Sequence, residues 1–379
     1  MNNNEKEEAA MFFDDPQMLS LGLDEQEHKN YSHNRITYNK LMSKIQAKAR
    51  QEAKLNYCYY CKKEVSSFCN SHSVPQFCLR RIAADGKVYY ANTLIDLPFM
   101  RSEQGVNEAG TFQLICRACD SKIFQQYEDP TAYQAKPTGQ MLAQIAMKDY
   151  LQMIYKRLHE EALYRLMGAE LGAPTNYVDH NHEIISLDLS EYSSSFSRAQ
   201  IGSLGKHNDW YYLCYYKKLN YTVPIAFQGG VVMVCDFEDD VINDIYNMSP
   251  DYHTKEIHIA VFPLEQESII MLFIDARDKR YRKFYKQLNK LPLEEQLSAI
   301  NYIIFSYSEN VYISKSIDES ILTNEHFVAT CQKSSIATAS HPFGNALNAA
   351  VAEFSLSKRN EIPNLRLARN FVWHNMKFH

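Results

Sequence analysis

The spacing of apolar positions along this 379-residue chain changes character several times. Over residues 24–56, Ile36, Leu41, Ile45 and Leu55 suit a helix but are too sparse to fill a large buried face. Residues 57–130 hold only short apolar runs. Lys87-Val88-Tyr89-Tyr90 reads as a strand, and Asp85-Gly86 just before it as a turn. Lys136-Pro137-Thr138 then opens a long helix within 131–172, with Thr138 as its N-cap. Leu142, Ile145, Leu151, Ile154 and Leu158 form one buried stripe, and Gly168 or Gly172 ends the helix.

From about residue 173 short β-like runs take over. They are Glu183–Leu187, Trp210–Tyr216, Val223–Phe227, Val231–Cys235, Glu256–Phe262 and Ser268–Ile274. Helical stretches follow at Arg280–Leu288 and Leu293–Phe305, the second with Pro292 at its first turn. The expected fold class is therefore α+β. Six segments are expected: an acidic tail (1–23), a basic helix (24–56), a cysteine module (57–130), the long helix (131–172), an α+β domain (173–335) and a C-terminal segment (336–379).

Composition adds a compartment. Hydrophobic residues make up 45% and aromatic residues 12%, as in a folded protein. No apolar run reaches the length of a bilayer span, so no membrane partner is expected. The N-terminus carries a Glu/Lys cluster rather than a secretory signal, which points to a reducing cytoplasm. Nine cysteines in that setting serve metal binding or packing rather than disulfides. The net charge of −5 argues against a nucleic-acid partner until its distribution is seen. Residues 1–28 are acidic, whereas Lys29, Arg35, Lys40, Lys44, Lys48, Arg50, Lys54, Lys62 and Lys63 face the single acid Glu52. That stripe either meets phosphates or is a solvated helix face.

Two Cys-x-x-Cys pairs, Cys58/Cys61 and Cys116/Cys119, bracket Ser71-His72-Ser73-Val74-Pro75, and Asp120 follows the second pair. One short turn can present two thiolates to one ion, so two such pairs supply a tetrahedral Zn²⁺ site. In a treble-clef arrangement the first pair sits on a knuckle and the second at the start of a helix running on through Ile123 and Phe124. A rival set, Cys58, Cys61, Cys69 and His72, could close a compact knuckle and would spend His72 on the metal.

The string Cys58-x-x-Cys61, Ser71-His72-x-x-Pro75, Cys116-x-x-Cys119-Asp120 resembles the zinc-stabilised form of the HNH endonuclease family, over residues 57–130 only. The resemblance implies a treble-clef or ββα-metal module. It implies hydrolysis of DNA phosphodiester bonds, with His72 as general base and Asp120 as ligand to a catalytic Mg²⁺ or Mn²⁺. It also implies a role in bacterial defence against phage or foreign DNA, with DNA and a regulatory or sensor protein as partners. Two positions depart from the family. Ser71 stands where an acid usually precedes the base, and Asn107 alone offers the family's middle Asn. Glu128 or Asp129, placed along the same helix as Asp120, would then assist the divalent ion. A module that has lost catalysis and only binds nucleic acid or protein is the first alternative.

The second alternative is Arg369-Asn370-x-x-x-His374, which matches the Arg-Asn-x-x-x-His pattern of HEPN ribonucleases. Asp179-His180-Asn181-His182 reads as a polar boundary loop. Asp236, Glu238, Asp239 and Asp240 read as an acidic turn capping the next helix.

Overall fold

The computed structural model describes residues 35–91, 102–171, 173–249, 251–308, 310–338 and 346–365. The acidic tail, the Arg369/His374 motif and Gly172 lie outside the described residues. In chain order the elements are α1 (Arg35–Glu52), β1 (Ser71–His72), α2 (Gln76–Ile82), β2 (Lys87–Ala91), β3 (Ser102–Gly105), β4 (Thr111–Phe112) and α3 (Arg117–Ile123). The long helices α4 (Gly139–Leu171) and α5 (Thr175–Ile201) follow. Then come β5 (Tyr211–Leu219), β6 (Ile225–Val231), β7 (Ile257–Pro263), β8 (Ser268–Asp275), α6 (Arg282–Lys290), α7 (Leu293–Tyr307) and β9 (Val311–Ser314). The last helices are α8 (Glu319–Leu322), α9 (Glu325–Thr338) and α10 (Ala346–Phe354). The α+β class expected from the sequence is what the chain adopts.

An antiparallel seven-stranded sheet in the order β3-β2-β9-β6-β7-β8-β5 organises the molecule. Its central strands β6, β7 and β8 are buried on both faces. Along β8, Ile270, Leu272 and Ile274 pack under α6 and α7, while the alternate Ile269, Met271 and Phe273 pack toward α4. Burial on both sides explains why β7 and β8 read as continuous apolar runs rather than alternating ones. The hairpin β2–β3 comes from the cysteine module, and β2 pairs with β9 from Val88↔Ser314 to Ala91↔Val311. The boundary expected near residue 131 therefore does not separate two sheets.

Thr138 caps α4, accepting from Met141 N at 3.2 Å. The five stripe residues pack inward as expected, but residues 141–150 are buried all round, including Gln144, Lys148 and Asp149. A helix buried on every side lies between two layers. Here those layers are the cysteine module and the sheet.

One expected strand is a helix. Glu183–Leu187 lies inside α5, where Ile185, Leu189, Tyr192, Phe196 and Ala199 recur every three or four residues along one packed face. A short window around the paired isoleucines hid that longer period. Asp179–His182 consequently sit in the first turns of α5, with His182 Nδ1 3.7 Å from Glu161, and not in a boundary loop. The run Val231–Cys235 is also not a strand of its own: Val231 ends β6, and Cys235 makes one bridge to Val241.

Candidate metal centre and its surroundings

Cys58, Cys61, Cys116 and Cys119 converge from two elements. The first pair lies on a knuckle in which Cys58 N donates to Lys63 O and Lys62 N to Cys58 O, both at 2.8 Å. Lys62 takes a φ of 59° to close it. The second pair opens α3, with Cys116 at the N-cap. The four Sγ atoms lie within 4.8 Å of one another. Tetrahedral Zn–S bonds of about 2.3 Å set sulfur–sulfur spacings near 3.8 Å, so this donor set can hold a metal ion such as zinc. Cys116 N donates to Cys58 Sγ at 3.3 Å, the kind of contact that supports a thiolate. Burial, then the neighbouring Cys116 and Cys61 thiols, push the Cys119 thiol well up, a repulsion that a cation among the sulfurs would relieve.

The rival set is not assembled. Cys69 Sγ instead donates to Asp120 Oδ2 at 3.4 Å, and His72 stands outside the sulfur cluster. The His72 ring is half-buried, with Nε2 3.0 Å from the Val106 carbonyl oxygen. Because a carbonyl only accepts, Nε2 carries the proton and Nδ1 the lone pair. Burial is the main cause of a lowered His72 pKa, which keeps the ring neutral near pH 7.

His72 is held from beneath by the sheet. β1 pairs with β4, and Ser73 shares hydrogen bonds with Tyr312 (2.8 Å) and Asn310 (3.3 Å) on and beside β9. Gly110 (φ +63°) makes this possible, since a Cβ there would stand 1.6 Å from the Tyr312 hydroxyl.

Asp120 is the expected ligand to a catalytic ion, and its surroundings are unlike an ion seat. Lys148 Nζ, from the middle of α4, lies 3.1 Å from Asp120 Oδ1 and 3.1 Å from Glu128 Oε1, with its side chain wholly buried. The same ammonium stands 3.4 Å from Ser71 Oγ and 3.8 Å from the centre of the Phe124 ring. Ser71 also donates to Asp120. Although burial opposes it, the Lys148 charge and the hydrogen bonds from Ser71 and Lys148 hold the Asp120 pKa below its usual range.

The residues present thus do not fit a Mg²⁺ or Mn²⁺ between Asp120 and Glu128, because a lysine ammonium occupies that place. Glu128 reaches it from beyond the end of α3 at Ile123, not from the same helix as expected. Asp129 faces elsewhere, accepting from Thr131 N as the cap of a 3₁₀ turn. Asn107 accepts from Gln76 Nε2 at 2.9 Å.

The neighbouring Asp149 points the other way along the same helix. It accepts from His258 Nδ1 at 2.7 Å and from Gln228 Nε2 at 2.9 Å, and all three side chains are buried against the sheet. The alternation in this Lys-Asp pair gave no sequence signal, because a charged pair in a helix ordinarily faces solvent. The acidic run at 236–240 does not cap the next helix, whose N-cap is Tyr281. It is a turn in which Asp236 accepts from Glu238 N and Asp240 N, and Lys283 of α6 pairs with Asp236, Glu238 and Asp240.

The basic stripe divides. On α1, Lys48 pairs with Glu170, while Glu52 pairs with Arg165 at 2.8 Å. Ile45 and Ala49 pack on Leu163, Leu166 and Met167 of α4. Arg50 and Lys54 line a cleft between α1, β4 and α4.

Comparison with protein-family models, curated proteins and solved structures returns no match. Among the described residues, no helix is long and apolar enough to cross a membrane.

Proposed function

We propose that this chain is a nucleic-acid-binding protein built on a zinc-braced, HNH-like module in which a lysine takes the place of the hydrolytic cation. Lys148 carries the reading, with its Nζ 3.1 Å from both Asp120 and Glu128. Two unit charges about 4 Å apart repel by roughly 4 kcal/mol at an effective dielectric near 20, and a divalent ion doubles that cost. Asp120 and Glu128 then serve to lock α4 onto the module. Zn²⁺ on Cys58, Cys61, Cys116 and Cys119 would brace the knuckle against α3, and the nine free thiols suit a reducing cytoplasm. Arg50 and Lys54 supply charge for DNA phosphates.

One observation favours a second reading, the endonuclease. The Val106 carbonyl fixes the His72 tautomer and leaves Nδ1 able to accept a proton from water. That reading, with its role in defence against foreign DNA, requires a partner protein to withdraw Lys148 before any ion reaches Asp120.

Supercoiled plasmid incubated with the full, zinc-loaded chain in Mg²⁺ or Mn²⁺ separates the two. The expected result is retardation on a gel without nicking. Metal-dependent nicking that disappears in His72→Ala, with zinc retained, would replace the binding reading by the hydrolytic one.

A further inference from the structure

The cleft between α1, β4 and α4 encloses about 560 Å³, inside the range of roughly 300–1,000 Å³ typical of small-molecule sites. Three kinds of chemistry meet in it. Arg50 of α1, Lys54 just beyond its end and Lys156 of α4 bring positive charge. Tyr155 and Tyr90 bring aromatic rings, Tyr155 held by a tilted contact with Phe112 and Tyr90 stacked on Tyr312.

His159 brings an unmet hydrogen bond. The residue is only 9% exposed, and Nε2 is buried with no hydrogen-bond partner. The backbone of Gln46 engages the ring. With Nδ1–H donated there, Nε2 of the neutral ring is an acceptor awaiting a donor. Leaving such an atom unpaired costs about 1–3 kcal/mol, which a ligand N–H or O–H would recover.

We infer that this cleft binds one phosphorylated nucleotide. Its phosphate lies against Arg50, Lys54 and Lys156, a base or sugar N–H or O–H donates to His159 Nε2, and its base stacks on the tyrosine rings. A simple anion would meet Arg50 and Lys54 and leave His159 Nε2 unpaired, and an apolar ligand would cover those two charges without answering them. A nucleotide carries an anion, a hydrogen-bond donor and a planar ring together. The inference rests on the nucleic-acid reading above and names the unit that is gripped, which is either a free nucleotide or one nucleotide of a single strand.

Fluorescence anisotropy of a short, labelled, 5′-phosphorylated single-stranded DNA tests it on the full, zinc-loaded chain, with deoxyadenosine monophosphate as competitor. Arg50→Gln and His159→Phe are each expected to weaken binding by about tenfold or more, with zinc content and melting temperature unchanged. Competition by the mononucleotide identifies a free nucleotide as sufficient. Failure to compete, with both variants weakened, identifies a unit of a strand. If the oligonucleotide binds and both variants match the wild type, the cleft is not the site, while the nucleic-acid reading stands. If the mononucleotide alone binds, with the same variant losses, the cleft stands and the nucleic-acid reading falls. Binding of neither probe overturns both.

Discussion

The cysteine module and the seven-stranded sheet are joined through α4 and the β2–β3 hairpin but solve burial in opposite ways. The sheet excludes polar side chains from most of both faces and is held by packing of Ile259, Ile270, Leu272 and Phe273. Outside the β2–β3 hairpin the module has only the two-residue strands β1 and β4, and it fastens its parts with sulfur, a buried ammonium and carboxylates. The lesson is one of scale. A segment too small for a core of its own turns to point interactions whose loss is abrupt, whereas the sheet spreads its stability over many contacts.

The sharpest way to break the contrast is to remove the proposed zinc. Structural zinc contributes about 10–16 kcal/mol of apparent binding energy in small zinc-finger peptides. Chelation, or Cys116→Ser, is therefore expected to unfold the module, and hydrogen exchange should show amides of 57–91 and 102–124 losing protection while β7 and β8 keep theirs. Equal loss everywhere would show that the two regions form one cooperative unit.

A smaller effect is expected from Phe273→Ala, whose ring is fully buried and stacks 4.8 Å from His258. Truncating a buried phenylalanine costs about 3–5 kcal/mol. A lowered denaturation midpoint with zinc content intact would place that cost in the sheet, and loss of zinc along with it would tie the regions together.

The smallest effect is electrostatic. Burial lowers the pKa of both His72 and His159 from the ordinary value of 6.5. The unfolded chain then takes up protons more readily than the folded one below that value. Stability from these rings is complete above about pH 6.5 and declines as the pH falls toward the lowered folded pKa values. Melting curves between pH 7.5 and 5.5 should show this decline, and His159→Phe should flatten part of it. A slope unchanged in that variant would assign the dependence elsewhere.

Much of the scaffold was legible because its signals are local. Two Cys-x-x-Cys turns announce themselves by ligand chemistry, Thr138 by its capping position, and β7 and β8 by unbroken apolar runs. What escaped depends on distant partners. Nothing local distinguishes Lys148 from a surface lysine, since its role is set by Ser71, Asp120 and Glu128 arriving from elsewhere in the chain. His159 became notable only when α1 folded over it and left Nε2 unpaired. The four residues Val311–Ser314 are too few to stand out, yet they join the module's hairpin to the sheet. The Arg369/His374 motif stays a reading of sequence alone.

The hairpin β2–β3 lies between the two cysteine pairs in the chain, yet it forms the rim of the large sheet. Genetic exchange at residue 131 would hand one descendant two orphaned strands and leave the other with β9 as a raw border. Recombination thus cannot trade this head among unrelated bodies. The two halves must be inherited as a pair, and drift in either is answerable to the other.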